Sequence, residues 1–257
     1  MNGILNLSTV FDGEKTITED MYFTPPFKLY SPFYENGRAK YISMCAAAGV
    51  LADDKNEISL EINNRCKVIF TDQGYQKLFN TNGKISRQYL KISVGENAEL
   101  TYMPHPIMTF AGCDHHAESR IEICRSSTLV FSEIYCCGRT AMGEEFALKR
   151  FRSRTEIVIG DKTDFIDNTL IDPKLFPVKH RGFFEGFTHT GFMYIYSPDP
   201  ERLDLAKTAS DAENDTELCF SRLQCGLAVR ALGFSGENIY GKFLGIADRV
   251  NNRSVSL

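Results

Sequence analysis

The chain has 257 residues, with 29 Lys and Arg against 33 Asp and Glu, for a formal net charge of −4. Its 43% hydrophobic and 24% charged content are ordinary globular values, which excludes disordered and collagen-like classes. The mild acidity without a long basic run argues against a nucleic-acid binder held by phosphate contacts. No apolar run approaches the roughly 18–20 residues of a membrane helix.

In chain order, the opening MNGILNLSTVFDGEK has neither a basic leader nor a cleavable apolar core, so a soluble, cytoplasmic protein is expected. Residues 22–34 are aromatic and proline-rich, and Pro25, Pro26 and Pro32 disfavour a central strand or helix interior. From 57 to 172 the pattern has period two. Glu57 to Ile62 alternates polar and apolar strictly, as a half-buried strand does. Cys66 to Thr71 follows after the turn-forming Asn63-Asn64-Arg65. Further strands are expected at Arg87 to Val94, Ala98 to Met103, Arg120 to Cys124, Thr128 to Cys136, Phe146 to Phe151, Thr155 to Ile159 and Thr163 to Ile171. Gly95-Glu96-Asn97 and Gly160-Asp161-Lys162 are expected as hairpin links. No helical period interrupts this region, so βαβ units are not expected. The fold class is mainly β, with many short strands in stacked antiparallel or mixed sheets, solenoid-like or a sandwich, and two late helices. The first helix is expected to open at Asp199-Pro200 and run to about Ala212. Leu218 to Leu232 reads as a hairpin turning at Gln224-Cys225-Gly226. The second helix spans Gly236 to Val250, with Ser235 as N-cap and Ile239, Phe243, Ile246 and Val250 on one apolar face.

Several residues invite chemistry. Of the eight cysteines, Cys66, Cys124 and Cys219 lie in apolar stretches where a thiol acts as a small hydrophobe, and reduced, mostly structural thiols are expected. Cys136-Cys137 ends an apolar strand, and Cys137 with His105 or His189 is a conceivable thiolate–imidazole couple. No phosphate-cradling glycine motif is present in the sequence. Cys113, Asp114, His115 and His116 are potential metal ligands. Neighbours on a strand point to opposite faces, so a tight site is not expected there and an exposed loop is. The proline turn Met103-Pro104-His105-Pro106 and the aromatic Phe183-Phe184-Glu185-Gly186-Phe187 read either as core and edge structure or as an apolar surface for a partner.

Taken in order, these stretches resemble the urease accessory protein UreD (UreH) family over nearly the whole chain, as a single domain spanning 1–257. The resemblance rests on Thr24-Pro25-Pro26-Phe27-Lys28-Leu29-Tyr30, Gly49 to Asp54, Thr71-Asp72-Gln73 with Lys77 to Asn80, and Pro104-His105-Pro106 with Phe110-Ala111-Gly112. It continues through Cys137-Gly138-Arg139 with Met142 to Phe146, Ser221-Arg222-Leu223 and Val229 to Gly233. Asp53 stands where the family usually has glycine, which demands a turn that avoids or strains into positive φ. Asp72 replaces a threonine, and Thr109 stands where a second proline is common.

The resemblance implies a non-enzymatic nickel chaperone scaffold. It would bind UreF directly and UreG through UreF, dock on apo-urease, and enter the accessory assembly in two copies. It also implies an internal passage for nickel, with no stably bound cofactor and Ni²⁺ only in transit. Because Ni²⁺ binds imidazole and thiolate tightly, a conduit is better built of carboxylates, carbonyls and water. Asp54, Gln73 and Glu144 are the expected passage residues. His105, Pro106, Gly138, Arg139 and Gly143 are expected in motif or structural roles. Two alternatives remain open: a cysteine-dependent enzyme using Cys137 with His105 or His189, and a β-rich interaction module unrelated to urease.

Overall fold

The computed structural model describes residues 1–207 and 215–251. The chain opens with β1 (Asn2–Phe11), β2 (Thr16–Phe23), β3 (Phe27–Leu29), β4 (Phe33–Glu35) and β5 (Arg38–Cys45). There follow β6 (Lys55–Ile62), β7 (Lys67–Asp72), β8 (Gln76–Leu78), β9 (Ser86–Val94), β10 (Glu99–Tyr102), β11 (Ile107–Thr109), β12 (Asp114–Ile123), β13 (Thr128–Cys136) and β14 (Arg150–Ile159). It ends with β15 (Lys162–Ile171), β16 (His189–Tyr196), α1 (Pro200–Lys207), β17 (Thr216–Arg222), β18 (Leu227–Gly233) and α2 (Gly236–Asn251).

From β5 to β14 the chain coils. One sheet holds β6, β9, β12 and β14 side by side and parallel, and the other holds β5, β7, β10 and β13. Parallel neighbours need a crossover connection. Here each crossover is a strand of the opposite sheet, so no helix is required. Antiparallel strands finish the sheets: β2 and β15 close the edges of the first, and β16, β18 and β17 extend the second. The result is a mainly-β, solenoid-like stack of mixed sheets with two α-helices, the first of the two arrangements expected from sequence.

Successive coils set like residues in register. Leu7, Leu60, Ile92, Ile121 and Ile157 form one row of the first sheet. Tyr41, Phe70, Tyr102 and Phe131 form a row of the second, with ring stacking at 5.6 and 5.1 Å. These rows face one another in the main core, whose burial from water is the largest stabilising contribution. The apolar face of α2 (Ile239, Phe243, Ile246, Val250) is fully buried in a second core on the outer side of the second sheet. Ser235 caps this helix as expected, accepting the Asn238 amide at 3.3 Å.

The two ends of the coil differ. At one, tight corners stack: the Glu96 amide donates to Asn64 Oδ1 at 2.8 Å and the Asn97 amide to Ser126 Oγ at 3.1 Å. Gly95-Glu96-Asn97 is therefore a corner between sheets and not the expected hairpin. A hairpin and a corner share the same turn residues, and only the partner strand distinguishes them. At the other end the returns are long, running over 46–54, 73–85, 103–113 and 137–149.

Three further expectations are corrected. Residues 114–116 are not a loop but the start of β12, where parallel pairing to β9 and β14 overrides their polarity. The separate strands expected at Phe146 to Phe151 and Thr155 to Ile159 are one, β14, entered by a turn in which Phe146 has φ of 51°. Cys219 is exposed on β17 and does not behave as a core hydrophobe. The hairpins at Gly160-Asp161 and at Gln224 to Gly226 form as expected. The first helix is described to Lys207, and the remainder of its expected span, 208–212, lies outside the described residues.

Candidate functional site

Four long returns at one end of a rigid coil are where function is usually carried. The motif stretches Gly49 to Asp54, Thr71 to Asn80, Pro104 to Gly112 and Cys137 to Phe146 all fall there. Three of these returns, with the ends of β7 and β13, enclose a cavity of about 440 Å³. Its apolar wall includes Ile58, Tyr102 and Ile134, and its polar groups include Ser43, Asp72, Gln73, His105 and Glu133.

Two carboxyls dominate its electrostatics. Asp72 ends β7 and is half-buried, and its surroundings push its carboxyl up to about 7, opposed by a hydrogen bond with Ser43. Glu133 lies on β13 at 7% exposure. Burial pushes it up to about 7 as well; Tyr135, Ser153 and Ser119 donate to it and lower it, while Asp167 raises it. A buried carboxylate without a cationic partner is held near its protonation point in this way. His105 completes the polar wall. Its ring stacks on Tyr240 of α2 at 4.5 Å, and its Nδ1 is buried with no hydrogen-bond partner.

Of the expected passage residues, the cavity gathers Gln73 but neither Asp54 nor Glu144. Asp54 closes a turn, accepting the Leu51 amide at 2.8 Å and pairing with the amine of Met1. The preceding Asp53 adopts φ of 61°, so this turn keeps the left-handed geometry without glycine. Glu144 binds the Ala111 amide with one oxygen and Arg139 with the other. Gly138 has no room for a Cβ, which would strike the Glu144 carbonyl, and Gly143 turns at φ of 72°. Gly138, Arg139, Gly143 and Glu144 thus form one self-bracing loop. Pro106 is buried against Gly236 at the start of α2.

Asp72 and Glu133 were not singled out from sequence. Glu133 is the one charged residue of the strand Thr128 to Cys136, which is a legible signal. Asp72 is a polar residue at the point where a strand enters a long return, marked in sequence only as standing where the family has threonine.

The remaining ligand-type residues are braced structurally. His115 is fully buried, bonded to Ser86 at 2.8 Å and pushed down to about 3 by burial. Asp114 is held below its ordinary value, because Arg150 and Lys149 outweigh its burial. Among the described residues no three His, Cys, Asp or Glu side chains are grouped to hold a metal ion, and no helix is long and apolar enough to cross a membrane. Cys137 packs in an apolar cluster with Phe146 and Phe184, and its thiol is pushed up, chiefly by its bond to Cys136. That makes it a poor nucleophile. The thiol facing His189 across the β13–β16 ladder is Cys136.

Comparison with a family model and with curated relatives gives the same family. A family model described as "UreD urease accessory protein" matches residues 1–253. The urease accessory protein UreD of Acetivibrio thermocellus is 32% identical over 235 residues, covering 90% of this chain and 89% of its own. UreH of Helicobacter pylori strain P12 is 34% identical over 176 residues, covering 68% of this chain and 66% of its own.

Proposed function

The chain belongs to the UreD urease accessory protein family, and from that membership we propose that it is a non-enzymatic scaffold for nickel insertion during urease maturation. In this reading it works in the cytoplasm, binds UreF directly and UreG through UreF, and docks on apo-urease, with two copies in the accessory assembly. GTP belongs to UreG and not to this chain.

Nickel is cargo here, and the cavity is the passage. What supports this is its pair of carboxyls, Asp72 and Glu133, each pushed up to about 7 by removal from water in one cavity of about 440 Å³. A cation entering between them displaces protons and gains charge compensation. Leaving it lets the protons return, so neither step is steep. Gln73, Ser43 and backbone carbonyls supply weak oxygen ligands along the wall. Asp54 and Glu144 brace the returns around the passage.

Co-purification with UreF, UreG and apo-urease, followed by activation with nickel, bicarbonate and GTP, tests the reading. The Asp72→Asn and Glu133→Gln double variant is expected to assemble normally and to lose most of the activation. Activation at the wild-type level would remove the cavity from the route. Failure of the wild-type chain to join the complex would remove the scaffold role itself.

A further inference from the structure

We propose that Cys136 and Cys137, with His189, form a thiol-oxidation site that closes reversibly to a vicinal disulfide. This is independent of the nickel route.

The geometry sets the pair apart from the other six cysteines. β13 ends at Cys136, and the chain is fixed on both sides of the pair. The Cys137 amide donates to the Thr188 carbonyl at 2.9 Å, and the Phe146 amide donates to the Cys137 carbonyl at 2.8 Å. Gly138 then turns against the Glu144 carbonyl, where a side chain has no space. Across the ladder Cys136 is in register with His189, whose Nδ1 is anchored by the Thr188 hydroxyl at 2.8 Å. Gly236 at the start of α2 lets this ring and the Tyr75 hydroxyl approach closely.

The Cys136 thiol reaches the Gly138 carbonyl at 2.9 Å. The Cys137 thiol and the His189 ring outweigh the burial that opposes its ionisation, and Cys136 is pushed down to about 5. The isolated thiols behave oppositely: burial raises Cys66, and raises Cys113 to about 12. A buried thiolate beside a protonated thiol and an imidazole is the arrangement of an attacking and a resolving sulfur.

Both cysteines are only 2% exposed, so the oxidant is small, of the class of hydrogen peroxide. The Cys136 thiolate attacks one peroxide oxygen and the O–O bond breaks, leaving a sulfenic acid on Cys136 and hydroxide, which takes a proton and leaves as water. The Cys137 sulfur then forms the S–S bond and displaces the sulfenic oxygen, which departs with the thiol proton as a second water. Two thiols lose two electrons and two protons, and one peroxide becomes two waters. Neighbouring Cα atoms of a trans peptide lie about 3.8 Å apart, closer than the roughly 4.4–6.8 Å of relaxed disulfides. The ring is therefore strained, which favours its reduction once a thiol gains access.

The test is peroxide titration of the folded full chain, then alkylation, digestion and mass spectrometry. The peptide carrying Cys136 and Cys137 is expected to lose two hydrogens and both alkylation sites, to recover both on reduction, and to do so while Cys66 and Cys113 stay reduced. In Cys137→Ser, dimedone is expected to label Cys136. In Cys136→Ser, no label is expected on Cys137. If the wild-type pair stays reduced while exposed Cys45 and Cys219 oxidise, or if either sulfur is found joined to a different cysteine, the site does not exist. The wild-type mapping decides this even if a variant fails to fold.

Discussion

Asp72 and Glu133 carry a consequence for stability as well as for cation passage. Both are pushed up to about 7 in the folded chain, against roughly 4 when unfolded. Between these values the folded state holds more protons than the unfolded one, so their contribution to stability is complete below about pH 4 and is lost as pH rises through about 7. Asp72→Asn with Glu133→Gln is expected to flatten that loss, read as the change in urea midpoint between about pH 5 and pH 7 relative to wild type. Equal slopes in both proteins would mean that the carboxyls titrate normally. Glu144 makes a different prediction. It is the partner of both the Ala111 amide and Arg139, so Glu144→Ala should cost about 1–3 kcal/mol in chemical denaturation. A stability within error of wild type would contradict its bracing role. At this scale sequence reading separated Gln73 from its neighbours but not Asp72, because a carboxyl acquires its special environment only when distant returns close over it.

The elements were more legible than their pairing. Period-two alternation located the strands from Glu57 to Ile171, and the four-three-four spacing of Ile239, Phe243, Ile246 and Val250 located α2. Alternation records which face of a strand is buried and nothing about its neighbour, so parallel coils and antiparallel hairpins look alike. Hence Gly95 read as a hairpin glycine although it sits in a corner. A Cβ there would meet Asn64 Oδ1 and the Asn64 amide, and Gly95→Ala is expected to destabilise by about 1–3 kcal/mol through this overlap. Its urea midpoint checks this, and an unchanged midpoint would mean that the corner yields freely. Phe243 is fully buried between α2 and the second sheet. Phe243→Ala should cost about 3–5 kcal/mol by the same measurement. A cost near zero would mean that α2 is not a packed part of the fold.

For the molecule as a whole, the coil separates two tasks. Tight, stacked corners hold one end, and long returns at the other enclose the cavity. Four of the family motifs mark those returns, where glycine, proline and braced carboxylates fix unusual backbone, and were legible from sequence. The cavity was not legible, because its wall is drawn from β3, β5, β6, β7, β9, β10, β13 and three returns that only the coil brings together. In this account a divalent ion occupies the cavity in exchange for protons. Anomalous diffraction at the nickel edge, from crystals of the full chain soaked in nickel at about pH 8 and about pH 6, reads that exchange. Nickel density between Asp72 and Glu133 at the higher pH, fading at the lower, is the predicted result. Nickel confined to the outer surface, or held in the cavity equally at both pH values, would contradict it.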